Sequence, residues 1–88
     1  MSAHPSAKTT TLDQLSVTDV ARVVQVQGDD PIATRIMEMG IVDGEPIRLL
    51  GRAPLGDPLE FAVRGYRVSL RKNEARRVVV ELLDGSPP

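Results

Sequence analysis

Few side chains in this sequence can act as nucleophile, metal ligand or proton carrier. There is one histidine, His4, and no cysteine. That set excludes a thiol nucleophile, a thiolate zinc site and a histidine-centred triad, each of which needs several such groups converging. His4 also lies in the small, polar, proline-bearing opening MSAHPSAKTTT, which reads as a disordered arm over residues 1–11. No G-x-x-x-x-G-K-[ST] phosphate loop occurs, so the chain is not itself a P-loop nucleotide hydrolase. Asp29, Asp30 and Asp43 could hold a hard cation weakly, but Asp30 stands immediately before Pro31 and is better used as a helix cap. Met37 and Met39 carry soft sulfur, yet they sit at helical spacing beside Ile32 and Ile36 and are read as core filling. The expectations are no catalytic group, no cofactor and no metal site.

What remains is arginine. From Pro46 to Arg77 there are eight basic residues (Arg48, Arg52, Arg64, Arg67, Arg71, Lys72, Arg76, Arg77) against three acidic ones, while residues 1–45 carry three basic against seven acidic. An outward sheet face would account for the first cluster, and so would a basic patch for an acidic partner surface. The net charge of −1 argues against a dedicated nucleic-acid binder. So does the shortage of stacking side chains, with Phe61 and Tyr66 the only aromatics. Arg35, Arg52 or Arg64 could in principle reach into a partner nucleotide site; for Arg35, local pairing with Glu38 on the same helix is the simpler expectation.

The elements that place these residues can be read from period and punctuation. Apolar residues make up 41% of the 88, enough for one small domain with a single core. No apolar run approaches the roughly 18 residues of a membrane span, and a cytoplasmic protein is expected. A short turn at Thr11–Leu15 would cover an open end of the core with Leu12 and Leu15. Asp19 to Gln27 reads as a strand whose parity breaks between Val23 and Val24, by a bulge or by burial on both faces. Asp30 and Pro31 start an amphipathic helix that Gly40 stops, with Ile32, Ala33, Ile36, Met37 and Met39 inward.

Beyond the Asp43-Gly44 turn the period becomes two. Ile47 and Leu49 alternate with Arg48, and Leu59, Phe61 and Val63 alternate with Glu60 and Ala62. Past Gly65 the parity switches, placing Tyr66, Val68 and Leu70 inward, so a tight turn or bulge is required there. Lys72-Asn73-Glu74-Ala75 forms a helical turn, Arg77 to Leu83 a last strand, and residues 85–88 fray. About five strands with one helix between the first two suit a small β-barrel closed on itself, with the domain over residues 12–84.

The segment RIMEMGIVDGEPIRLLGRAPLGDPLEFAVRGYRVSLRKNEARRVVVE, Arg35 to Glu81, resembles the FeoA family of ferrous iron transport proteins. The likeness rests on Arg35, Ile36, Met39 and Gly40 at the helix, on Gly44, and on Pro54 to Pro58. It continues through Arg64-Gly65-Tyr66, Leu70-Arg71 and Glu74-Ala75, with Ile36 standing where the family pattern has leucine. The resemblance implies an SH3-like barrel, mainly β, that is not an enzyme and serves FeoB, a membrane Fe(II) transporter with a cytoplasmic GTP-binding domain. Contact with the membrane would be indirect, through that transporter, and self-association is a further expectation; transition-metal binding belongs to the family description. A related barrel ends the iron-dependent repressors, and a small nucleic-acid-binding barrel is the other alternative.

The loop RAPLGDP carries Leu55 between two turn-forming residues, where a polar side chain is usual. Leu55 either folds back as a lid on Leu50 or Leu59, or is held outward by Pro54 and Gly56 as an anchor for a partner. The expected partner-binding set is Leu55, Pro54, Arg52, Arg64, Arg67 and Arg71. Asp30, Pro31, Gly40, Gly44 and Gly65 are expected to be structural.

Overall fold

The alternation at Leu59, Phe61 and Val63 buries three side chains on one face of a strand and leaves Glu60 and Ala62 towards the other. That strand is one of six in a computed structural model that describes residues 8–83. In chain order the elements are β1 (Lys8–Thr11), a 3-10 turn (Leu12–Gln14), β2 (Val20–Val26), α1 (Pro31–Glu38) and β3 (Pro46–Arg52). They continue with β4 (Leu59–Val63), β5 (Tyr66–Leu70), α2 (Lys72–Ala75) and β6 (Val78–Leu82). The strands form one antiparallel sheet in the order β1-β6-β2-β3-β4-β5.

One apolar cluster joins residues of β2 through β6 with the 3-10 turn and α1, centred on Phe61, Leu59, Leu49, Ile47, Leu70 and Ile36. A single sheet can share one core this way only by curling around it, which makes the expected barrel. Phe61 is the largest side chain in the core, and its truncation to alanine would cost about 3–5 kcal/mol. Leu12 and Leu15 are both buried, covering the core as the turn they frame requires. The parity break in β2 is a bulge: register slips between Val23 and Gln25, so Val24 turns outward and Val26 returns to the core margin.

Four expectations are corrected. Lys8–Thr11 is not part of a disordered arm but a sixth strand, paired with β6; residues 1–7, with His4, and residues 84–88 lie outside the described residues. Among the described residues the ladder does not close on itself, since β1 and β5 end the strand order, so packing rather than hydrogen bonding completes the barrel there. On α1 only Ala33 and Ile36 are buried, and Met39 packs against the core. Ile32 and Met37 are exposed because the helix touches the sheet along a narrow stripe. Tyr66 is half-exposed at the rim, its hydroxyl donating to the Met39 carbonyl at 3.2 Å.

Candidate partner-binding surface

The loop between β3 and β4 is held open by its own backbone. The Gly56 N–H donates to the Ala53 carbonyl at 2.7 Å, and the Ala53 N–H to Pro58 at 3.0 Å. Pro54 and Leu55 are therefore the two corner residues of a turn, with φ at Pro54 preset by its ring. Asp57 fixes the returning limb by accepting from the Lys72 N–H at 3.0 Å, and the Asp57–Pro58 bond is cis. Leu55, at the tip, is 96% exposed. A side chain with that exposure is not a lid over Leu50 or Leu59.

The six expected partner-binding residues do not form one spot. Arg52 is committed to the fold, its Nη2 donating to the Leu15 carbonyl at 2.6 Å, which ties the end of β3 to the segment covering the core. Arg64 lies in the two-residue β4–β5 turn with φ of 54°, beside Gly65 at 87°, and pairs loosely with Glu45 at 3.7 Å. Because Leu59 is opposite Leu70 and Val63 opposite Tyr66, that turn stands at the far end of the hairpin from the Leu55 loop. Arg67 projects from the middle of β5, exposed, 3.8 Å from Glu60. Arg71 follows β5 at the loop end and opens α2. Thus Leu55, Pro54 and Arg71 share one end of the hairpin, with Arg67 between them and Arg64.

Asp30 caps α1 by accepting from the Ala33 N–H at 3.3 Å, with Pro31 at the first helical position. Asp30 also grips Arg77 in a fork, with contacts of 2.5 and 2.9 Å. The hydrogen bond from Arg77, more than any other influence, holds the Asp30 carboxyl below the usual carboxylate range, and the Arg77 guanidinium is correspondingly raised. Gly40 has φ of 95°, and a Cβ there would meet Arg64 Cδ at 3.0 Å and Tyr66 Oη at 3.1 Å. Gly44 turns the chain into β3, likewise at positive φ.

Two carboxylates escaped the sequence reading. Glu74 is buried, accepts from the Arg71 N–H at 2.8 Å and receives the Arg35 guanidinium; Arg35 therefore pairs with Glu74 and not with Glu38. Asp13 is buried, accepting from Thr11 and, at 3.1 Å, from Gln14, with Arg76 at 3.8 Å. An acidic residue three places after Arg71, at the third helical position, is the capping signal that could have found Glu74; nothing local marks Asp13. Among the described residues no three of His, Asp and Glu gather as a metal site, and no helix is long and apolar enough to cross a membrane.

The FeoA domain family matches residues 10–82. The chain is 39% identical over 75 residues to the Fe(2+) transport protein A/Fe(2+) transporter FeoB fusion protein of Porphyromonas gingivalis, a match spanning 85% of this chain and 9% of the fusion protein. It superposes on the FeoA-like protein of Clostridium acetobutylicum with a TM-score of 0.82 at 36% identity, covering 92% of this chain and 94% of that one. With the zinc-complexed FeoA of Stenotrophomonas maltophilia, described as an SH3 domain protein, the TM-score is 0.72 at 41% identity, over 81% and 88% of the two chains. A manganese-dependent transcriptional repressor shares the fold at 22% identity and a TM-score of 0.77, over 85% of this chain and 37% of the repressor.

Proposed function

This chain belongs to the FeoA family of ferrous iron transport, and from that premise we propose that it is a cytoplasmic, non-enzymatic accessory protein docking on the GTP-binding domain of an FeoB-type transporter. Its role is to assemble or modulate that transporter through protein contacts, with Leu55 as the anchor. The observation that carries the reading is the 96% exposure of Leu55 on a proline-braced turn. An apolar side chain held in water by a stiff loop loses little entropy when it enters a pocket. The P. gingivalis relative, in which the two names belong to one polypeptide, supports the choice of partner.

No catalytic contribution is assigned to the arginines. Arg35 and Arg52 are bonded to Glu74 and to the Leu15 carbonyl, so each would have to give up that bond to enter a partner's nucleotide site. A nucleic-acid role is disfavoured because Phe61 is buried, which leaves half-exposed Tyr66 as a lone ring where base stacking normally uses several aromatic side chains.

The test is Leu55→Ser, titrated against the isolated cytoplasmic domain of the transporter by calorimetry. Burying one leucine is worth about 1.5–3 kcal/mol, so affinity should fall roughly 10- to 100-fold. Unchanged affinity overturns the anchor. If the wild-type chain instead forms dimers that Leu55→Ser dissolves, the pocket belongs to a second copy and not to the transporter.

A further inference from the structure

Among the described residues the strand order ends at β5, and the edge left free there has a definite chemistry. The β4–β5 turn contains two residues, both at positive φ, and is closed by the pair Val63 and Tyr66. In such a turn the closing pair exchanges both backbone hydrogen bonds. The phase then runs down the hairpin: Phe61 with Val68 and Leu59 with Leu70 are bonded pairs, whereas Arg67 and Ser69 turn their N–H and C=O groups away from β4. Arg71 keeps extended dihedrals of −67° and 154°, but its N–H is bonded to Glu74 and its carbonyl accepts from the Glu74 and Ala75 N–H groups. The free backbone therefore ends at Ser69, and Arg71 offers only its side chain.

The side chains along this edge separate by charge. Arg67, Ser69 and Arg71 share the outer face and are exposed, while Val68 and Leu70 face the core. Past Ser69 the edge opens into a hollow of ≈ 290 Å³ lined by Met39, Pro58 and Leu70, by Arg71, and by Arg35 with the Glu74 carboxylate it neutralises. The Leu55 loop stands on the same side, its Asp57 bonded to the Lys72 N–H.

Two edges of this kind from separate copies would suit each other poorly. Antiparallel pairing centred on Ser69 would put Arg67 of one copy against Arg71 of the other, and like charges directly opposed are destabilising. The same arginines favour a strand with carboxylates on its outer face and apolar residues on its inner one.

We propose that the free β5 edge receives an extended acidic segment of a partner protein as an added antiparallel strand. The Arg67 and Ser69 backbone groups bond to it, Arg67 and Arg71 meet its carboxylates, and its apolar residues extend the inner face towards the hollow. The proposal rests on the reading of this end of the hairpin as a partner surface, but it uses different atoms from the Leu55 anchor.

The experiment titrates the ¹⁵N-labelled protein with an acetylated, amidated hexapeptide of alternating valine and glutamate. Amide shifts are expected along β5, with slowed hydrogen exchange at Arg67 and Ser69. Methylating alternate peptide nitrogens should abolish binding, since it removes the ladder donors and keeps the charge. Arg67→Glu with Arg71→Glu should weaken binding at least tenfold without changing the fold, checked by the spectrum of the free variant. Absence of binding at millimolar peptide, binding indifferent to methylation, or shifts away from β5 would each overturn the proposal. So would a homodimer of the unmodified protein paired through β5. Because no transporter domain is in the assay, failure here leaves the Leu55 test standing, and the reverse also holds.

Discussion

The Arg35 guanidinium on α1 meets the Glu74 carboxylate on α2, 39 residues later in the chain. Glu74 is 7% exposed and its other oxygen accepts from the Arg71 N–H. One carboxylate thus caps the short second helix and fastens the first helix beside it. The two partners are unequal: Arg35 is more than half in solvent, whereas Glu74 is not.

That inequality predicts the outcome of a double-mutant cycle. Glu74→Ala should cost about 1–3 kcal/mol, because the Arg71 N–H loses its acceptor as well as the tie to α1. Arg35→Ala should cost no more than about 1 kcal/mol, the usual range for a pair with one partner in water. Urea titrations of both single variants and the double variant would check this; a larger loss for Arg35 than for Glu74 would contradict it.

Gly40→Ala should destabilise by more than about 1 kcal/mol, since an L residue would be held at positive φ. Its Cβ would also press on Arg64 and Tyr66. Thermal melts that leave the variant equal to wild type would show that the α1 stop tolerates a side chain.

Asp30 gives a pH dependence with a determined sign. Its carboxyl lies below its ordinary value in the folded chain because Arg77 bonds to the charged form. Between the folded value and the unfolded one, about 3.9, the unfolded chain binds more protons, so stability rises with pH there. The contribution is complete above about pH 4 and is lost as pH falls through the folded value. Asp30→Asn keeps a good cap but not the charge. Its stability should therefore vary less than that of wild type below about pH 4, measured by urea midpoints at several pH values.

Arg52→Met should lower stability by about 1 kcal/mol through loss of the bond to the Leu15 carbonyl. Binding measurements on that variant need correction for folded fraction, unlike those on Arg67 or Arg71.

Leu55→Ser should change stability by less than about 0.5 kcal/mol, as for other surface sites. A loss near 2 kcal/mol in urea would mean that the leucine is covered in solution.

Local signals in the chain were sufficient for much of the fold. Asp30 followed by Pro31 starts a helix and Gly40 stops it, because capping and positive φ are settled within a few residues. The switch of parity across Gly65 required a tight turn or a bulge, which the structure resolves as a two-residue turn, and Leu59, Phe61 and Val63 required a strand buried on one face. The family likeness, carried by Arg35 to Glu81, supplied the SH3-like barrel as a whole.

Only the tertiary structure decided where side chains without a local partner would go. Lys8–Thr11 has no apolar alternation, and it is a strand because β6 offers it a ladder. Met37 and Ile32 fit an inward stripe by spacing, but the contact with the sheet is too narrow to cover them. Arg35 found Glu74, Arg77 found Asp30 and Arg52 found Leu15, across 39, 47 and 37 residues of chain. Period and punctuation act over a few residues, whereas the partner of a long cation is whichever acceptor the completed barrel brings beside it. Leu55 is the converse case: its outward position needed only the turn, but its freedom from the core could be known only once the core had closed without it.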